Sequence, residues 1–181
     1  MPKLSVHPSL ILWLSVLYYL SGTVVLPFLA AAALHELGHA LALYAMDKPP
    51  RALRLNFAGA RMETPPLGYR QELLAAAAGP GMSLLLGLLT PLWPALGLYS
   101  LGLGLFNLLP LFGLDGGRML RCGLLLRLPE ETAGAICRCA AVGTGAVLLL
   151  GALWLQRAGW GLWPVVLAGY LLGKTLLTKP L

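Results

Sequence analysis

The sequence predicts an all-α polytopic membrane protein of about six transmembrane helices, and three observations carry that prediction. Of 181 residues, 58% are hydrophobic and only 11% charged, with a mean hydropathy of +0.78. A water-soluble domain has roughly 25% charged residues, so the polar side chains here are too few to cover a solvated surface. Apolar stretches of spanning length recur along the chain, each bounded by Pro, Gly or charge. The bases also fall on alternate connections: with the N-terminus inside, 12 of the 13 Lys and Arg lie on one side and only Arg157 on the other. That asymmetry places both termini in the cytoplasm. The net charge of +6 therefore reports orientation and gives no reason to expect a nucleic-acid partner.

The elements follow in order. Lys3 precedes an apolar stretch that resembles a signal peptide, but hydrophobicity resumes directly after Ser21, Gly22 and Thr23, which favours a first membrane helix. Across residues 10–46 the only ionisable side chains are His35, Glu36 and His39, long enough for one short span and a second over about 24–46. Residues 47–70 hold five bases and are bracketed by Pro49-Pro50 and Pro65-Pro66. Further spans are expected over about 71–90, 92–112, 139–155 and 160–177. Six spans leave about 60 residues for every tail and connection. Residues 1–181 are thus expected to form one membrane-embedded domain with no soluble regulatory part, any regulator residing on a separate membrane protein. In the third span Ala75, Gly79, Ser83 and Gly87 recur every four residues, a small-residue stripe that predicts close approach of another helix. The run Gly79-Pro80-Gly81 is expected to kink it. Cys122, Cys137 and Cys139 form neither an even framework nor CxxC arms and read as reduced thiols.

The chemistry concentrates in His35-Glu36-Leu37-Gly38-His39, an HExxH pattern. Residues four apart share a helix face, so both imidazoles can bind one zinc ion. Glu36 beside them can act as the general base that takes a proton from water. Chance would produce this pattern in on the order of one in 700 chains of this composition. The trio also sits at the middle of the second span, where ionisable groups are costly and usually functional. Zinc needs a third protein ligand and an open position. His7 precedes the first span, and Asp47 would lie about 12 Å along the helix from His39. Glu130 and Glu131 follow Pro129 as a helix first turn. Glu63 lies in the proline-bracketed loop, and Glu72 opens the third span. Asp115 is left, in a segment broken by Pro110 and three glycines; it reads either as a ligand carried back toward the metal or as a cap where a helix reaches the cytoplasmic surface.

These motifs carry a family resemblance. HELGH in one span, with Asn107-x-x-Pro110 and Leu114-Asp115-Gly116-Gly117 in a later one, resembles the site-2 proteases, intramembrane zinc metalloproteases. The resemblance implies one Zn2+ per chain held by His35, His39 and Asp115, Glu36 as catalytic base, and Asn107 and Pro110 as substrate-binding residues. Where many members carry Gly-Pro-x-x-Asn, this chain has Gly79-Pro80-Gly81-Met82-Ser83. The short form looks most like the sporulation-type (stage IV sporulation protein FB-like) branch, which implies a membrane-tethered protein substrate such as a pro-sigma factor. Residues 51–64 alternate apolar and polar side chains about Ala58-Gly59 and resemble the family's re-entrant hairpin. Leu55, Phe57 and Gly59 are its candidate substrate contacts, through an edge offered to an extended strand; a basic loop resting on anionic headgroups is the other reading.

The alternative function is a metal transporter or metal-binding membrane protein using the same His/His/Asp cluster, although transport predicts polar groups at several depths. Serine and aspartyl intramembrane proteolysis fit poorly, because there is no Gly-x-Ser-Gly with a partner histidine and Asp115 lacks a second membrane aspartate.

Overall fold

The computed structural model describes residues 3–6, 15, 19, 22, 25–56 and 59–177. The first expected span therefore lies almost wholly outside the described residues, as does Phe57. The chain divides into two compact units, Met1–Phe106 and Asn107–Leu181.

In the first unit, strand β1 (Lys3–Val6) pairs in parallel with β2 (Ala52–Asn56), and β2 pairs antiparallel with β3 (Gly59–Glu63). The order β1-β2-β3 makes β2 the central strand. Leu55 accordingly pairs with Val6 on one side and Ala60 on the other. Leu55 thus lies on the central strand, and the open edges of this sheet fall on its outer strands.

Helix α1 (Val25–Ala45) packs against α2 (Tyr69–Gly87). Its buried face includes Ala31, His35, Gly38, His39 and Leu43, the i, i+4, i+7, i+8, i+12 row of one helical stripe. The facing row on α2 is Ala75, Ala76, Gly79, Pro80 and Ser83. Small and polar residues are thus inside, whereas Leu26, Leu37, Leu41 and Tyr44 are exposed. That is the reverse of a soluble helix pair, and it suits an apolar solvent around the outer face. The helices approach closely at Gly38, where a β-carbon would stand 2.6 Å from the Ala78 carbonyl oxygen and 2.8 Å from the Met82 β-carbon. α1 stops in a Schellman motif: Lys48 N–H donates to the Leu43 carbonyl, Asp47 N–H donates to that of Tyr44, and Asp47 adopts a φ of 56°. Helix α3 (Pro94–Asn107) follows a tight connection in which Gly97 packs on Thr90, and Phe28 of α1 meets Tyr99 edge to face.

In the second unit, α4 (Asp115–Leu125) leads through Pro129 into α5 (Glu130–Leu155), which continues as a π-helical turn, Gln156–Trp160, before α6 (Trp163–Leu177). α5 and α6 pack as an antiparallel pair, closest where Gly145 faces Leu172. The fifth expected span thus belongs to a helix that begins nine residues earlier, at Glu130. Pro129 caps it, and Glu130 and Glu131 fill its first turn, where carboxylates complement the helix dipole.

Among the described residues two helices are long and apolar enough to cross a membrane, Val25–Ala45 and Glu130–Trp160. Among the described residues the third, fourth and sixth expected spans are largely helical but depart from that test. α3 has 14 residues, about 21 Å of rise, because prolines delimit it at both ends. α2 includes Arg70 and Glu72 in its first turn.

The contact at Gly38 yields a prediction. Gly38→Val places branched carbons against the Ala78 carbonyl and is expected to destabilise the protein by about 1–3 kcal/mol, read as a lower midpoint of thermal unfolding in detergent.

Candidate metal centre

His35 and His39 stand one turn apart on α1 and are 4% and 8% exposed. Buried imidazoles need hydrogen-bond partners, and α2 supplies them. His39 donates Nδ1–H to the Ala75 carbonyl at 2.7 Å. A carbonyl accepts only, so this bond fixes the tautomer of His39 and leaves Nε2 with a lone pair. His35 Nδ1 lies 2.8 Å from the Ser83 hydroxyl, whose oxygen is wholly buried with its residue. With both Nδ1 atoms turned to α2, the two Nε2 atoms converge at 3.3 Å, and the rings meet nearly at right angles.

That separation fits a metal. Two nitrogens bound at about 2.0–2.1 Å in a tetrahedron stand roughly 3.3–3.4 Å apart. Each imidazole is also oriented by a partner on its other nitrogen, the usual support of a metal-binding histidine. The floor beneath the two nitrogens is Gly79: a β-carbon there would overlap Nε2 of His39 and stand 2.8 Å from Nε2 of His35. Glu36, one residue on and about 100° around the helix from His35, is half-buried at the margin of this face.

Asp115 belongs to the second unit, in the first turn of α4, and is 8% exposed. The segment before it is two tight turns. Leu111 N–H donates to the Leu109 carbonyl around Pro110, and Leu114 N–H donates to that of Leu111, with Gly113 at a φ of 94° as the third turn position requires. The amine of Lys174 packs on Gly113. This strap folds back over the start of α4, so that a β-carbon at Gly116 would strike the Leu108 carbonyl and one at Gly117 that of Leu111. The two glycines after Asp115 are therefore spacers that let the strap close over the helix terminus, where the dipole favours a carboxylate. Arg118, one turn on, approaches Asp115 at 3.5 Å with its side chain 44% exposed, a contact of small energetic weight. Asn107 ends α3, and Pro110 sits half-buried in the first turn of the strap.

Among the other acidic candidates, Asp47 is the left-handed residue that stops α1, and Glu130 and Glu131 are exposed at the start of α5. Gly59 opens β3. What the sequence reading missed is the role of the small-residue stripe. Ala75, Gly79 and Ser83 form the seat of the histidines, and only Gly87, against Leu101, serves helix packing alone. The signal was present, since the stripe has the same four-residue period as the two histidines.

Comparison with known proteins adds two findings. Peptidase family M50 matches residues 87–150, a stretch that begins beyond the HELGH motif and contains Asp115. Among solved structures, the chain is similar in fold to the Site-2 Protease from Methanocaldococcus jannaschii, with a TM-score of 0.65 and 24% identity over 96% of this chain and 88% of that one. No curated protein matches the sequence.

The floor residue gives a second prediction. Gly79→Ala leaves the helix intact but puts a methyl group where the two Nε2 atoms lie, so the rings must turn away. Zinc content after purification is expected to fall to near zero and the protein to lose about 1–3 kcal/mol of stability, while circular dichroism keeps the helix content of the wild type.

Proposed function

We propose that this chain is an intramembrane zinc metalloprotease of the site-2 protease kind. The observation that carries the reading is the pair of buried Nε2 atoms 3.3 Å apart, each ring braced at Nδ1, on a helix apolar and long enough to cross a membrane. The M50 match and the fold likeness support it. Asp115 is the proposed third ligand, a buried carboxylate in the matched stretch, and it completes a His/His/Asp set that leaves one position open. Six spans with both ends in the cytoplasm, a membrane-tethered substrate and a place in the sporulation-type branch with a pro-sigma factor as substrate are part of the same proposal.

A zinc ion so held supplies Lewis acidity, polarising a peptide carbonyl and acidifying water. Glu36 takes the proton from the attacking water and delivers it to the departing amine nitrogen. Ala75 and Ser83 hold the imidazoles so that no ring reorientation accompanies the reaction. The substrate must be extended to expose its carbonyl, and a sheet edge can stabilise that form by strand addition. With β2 paired on both sides, the β3 edge starting at Gly59 is the proposed contact, with Asn107 and Pro110 on the strap as the other substrate-binding residues.

Two substitutions test the reading on purified protein with a membrane-tethered substrate. Glu36→Gln is expected to retain zinc while cleavage falls by at least about 100-fold, the lower range for a general base. Asp115→Asn is expected to lower zinc content and cleavage together. Undiminished cleavage by Glu36→Gln overturns the mechanism, whereas bound metal with no cleavage by the wild type favours metal transport.

A further inference from the structure

The π-helical turn that ends α5 carries a cation the candidate metal centre does not use. Arg138 and Arg157 are both exposed, the first within α5 and the second in its π-helical extension, and no charged side chain falls between them. About 28 Å of helical rise separates the two, close to the ~30 Å hydrocarbon core of a bilayer. With α5 crossing the membrane, one arginine meets each interface. Around Arg157 the chain adds Trp154, Trp160 and Trp163, which are 69%, 72% and 73% exposed. Indoles settle at the headgroup boundary, where one side of the ring is apolar and the N–H finds an acceptor. Gly159 and Gly161, at φ of 90° and 80°, stop α5 and turn the chain toward α6, and residues 156–163 are exposed throughout.

Among the described residues of its own unit, Arg157 has no counter-charge within reach. The acids of that unit are Asp115, Glu130 and Glu131. Glu130 and Glu131 begin α5 at its other end, about 40 Å away along the helix. Asp115 opens α4, which rises only about 16 Å from that same end. The dipole of α5 terminates near Arg157 with roughly half a negative charge, which balances only part of the guanidinium.

We propose that the α5–α6 turn is a binding site for the headgroup of an anionic phospholipid, with Arg157 paired to its phosphate and Trp154, Trp160 and Trp163 seated at the boundary around it. The charge balance selects that class of lipid. A zwitterionic headgroup brings an ammonium along with its phosphate, and no carboxylate of this unit reaches the turn to receive it. A glycerol headgroup brings the negative charge alone. The apolar surface also continues from the turn along both helices as exposed Leu150, Leu153, Leu162 and Val166, as acyl chains beside the headgroup require. The inference needs α5 to span a membrane and is independent of how the metal centre functions.

The test uses the full chain with Trp13→Phe and Trp93→Phe, so that all indole emission comes from Trp154, Trp160 and Trp163. It is reconstituted in phosphatidylcholine bilayers that contain the same small fraction of either brominated phosphatidylglycerol or brominated phosphatidylcholine. Bromine quenches indoles on contact, so the ratio of the two quenching constants reads lipid enrichment at the turn. Brominated phosphatidylglycerol is expected to quench about five-fold more strongly, the worth of one basic residue at an anionic membrane surface, and Arg157→Gln is expected to bring the two lipids level. Native mass spectrometry of the chain with all its tryptophans, with and without Arg157→Gln, gives a second reading that needs no tryptophan replacement: the variant should retain less phosphatidylglycerol by a similar factor. Equal quenching by the two lipids, or a preference that survives Arg157→Gln, overturns the proposal and leaves an acidic protein surface as the occupant. Absence of quenching by either lipid removes the turn from the bilayer and overturns it as well.

Discussion

The close approach of α1 to α2 at Gly38 is the constraint on which the candidate centre depends. Without a side chain there, the α1 backbone comes within contact of the Ala78 carbonyl, and the histidines on either side of Gly38 reach partners on α2. A larger spacing would leave two imidazoles buried with nothing on Nδ1, each at a cost of about 1–3 kcal/mol. The glycine of HELGH is therefore as much a part of the site as its ligands. It sets a helix separation at which hydrogen-bonded histidines are cheaper than unpaired ones.

The same contact explains how an apolar helix can carry three ionisable residues. α1 turns Leu26, Leu37, Leu41 and Tyr44 outward and His35 and His39 toward α2. The pair thus concentrates its polarity on a narrow internal seam while its large side chains face outward. In a bilayer such an arrangement satisfies both solvents, since hydrocarbon meets leucine and the imidazoles meet a carbonyl and a hydroxyl. Small residues are what make the seam narrow, because Ala75, Gly79 and Ser83 occupy little volume beneath the rings.

Much of this was legible in the sequence, because helix periodicity and histidine spacing are local properties. HELGH needs only 3.6 residues per turn to bring its imidazoles together, and Pro129 with Glu130 and Glu131 announces a helix start by dipole and ring geometry alone. The stripe from Ala75 to Gly87 was legible as a close helix contact but not as a hydrogen-bonding seat. Its functional atom at Ala75 is a backbone carbonyl, which every residue possesses. The partnership of Ser83 with His35 spans 48 positions and depends on helix register, which no local pattern encodes. Leu55 illustrates the converse: its alternating neighbours signalled a strand, yet whether that strand lies at an edge was decided by β1, some fifty residues earlier in the chain.

The two braces behind the histidines differ in kind, and that difference bears on how such a centre can change over generations. A main-chain carbonyl is present whatever residue codon 75 specifies, so a replacement there that is small enough for the seam keeps the partner of His39. Codon 83 has no such protection. Behind the two histidines, residue 83 is therefore where a change of side chain acts directly on a hydrogen-bonding atom while both imidazoles stay in the sequence.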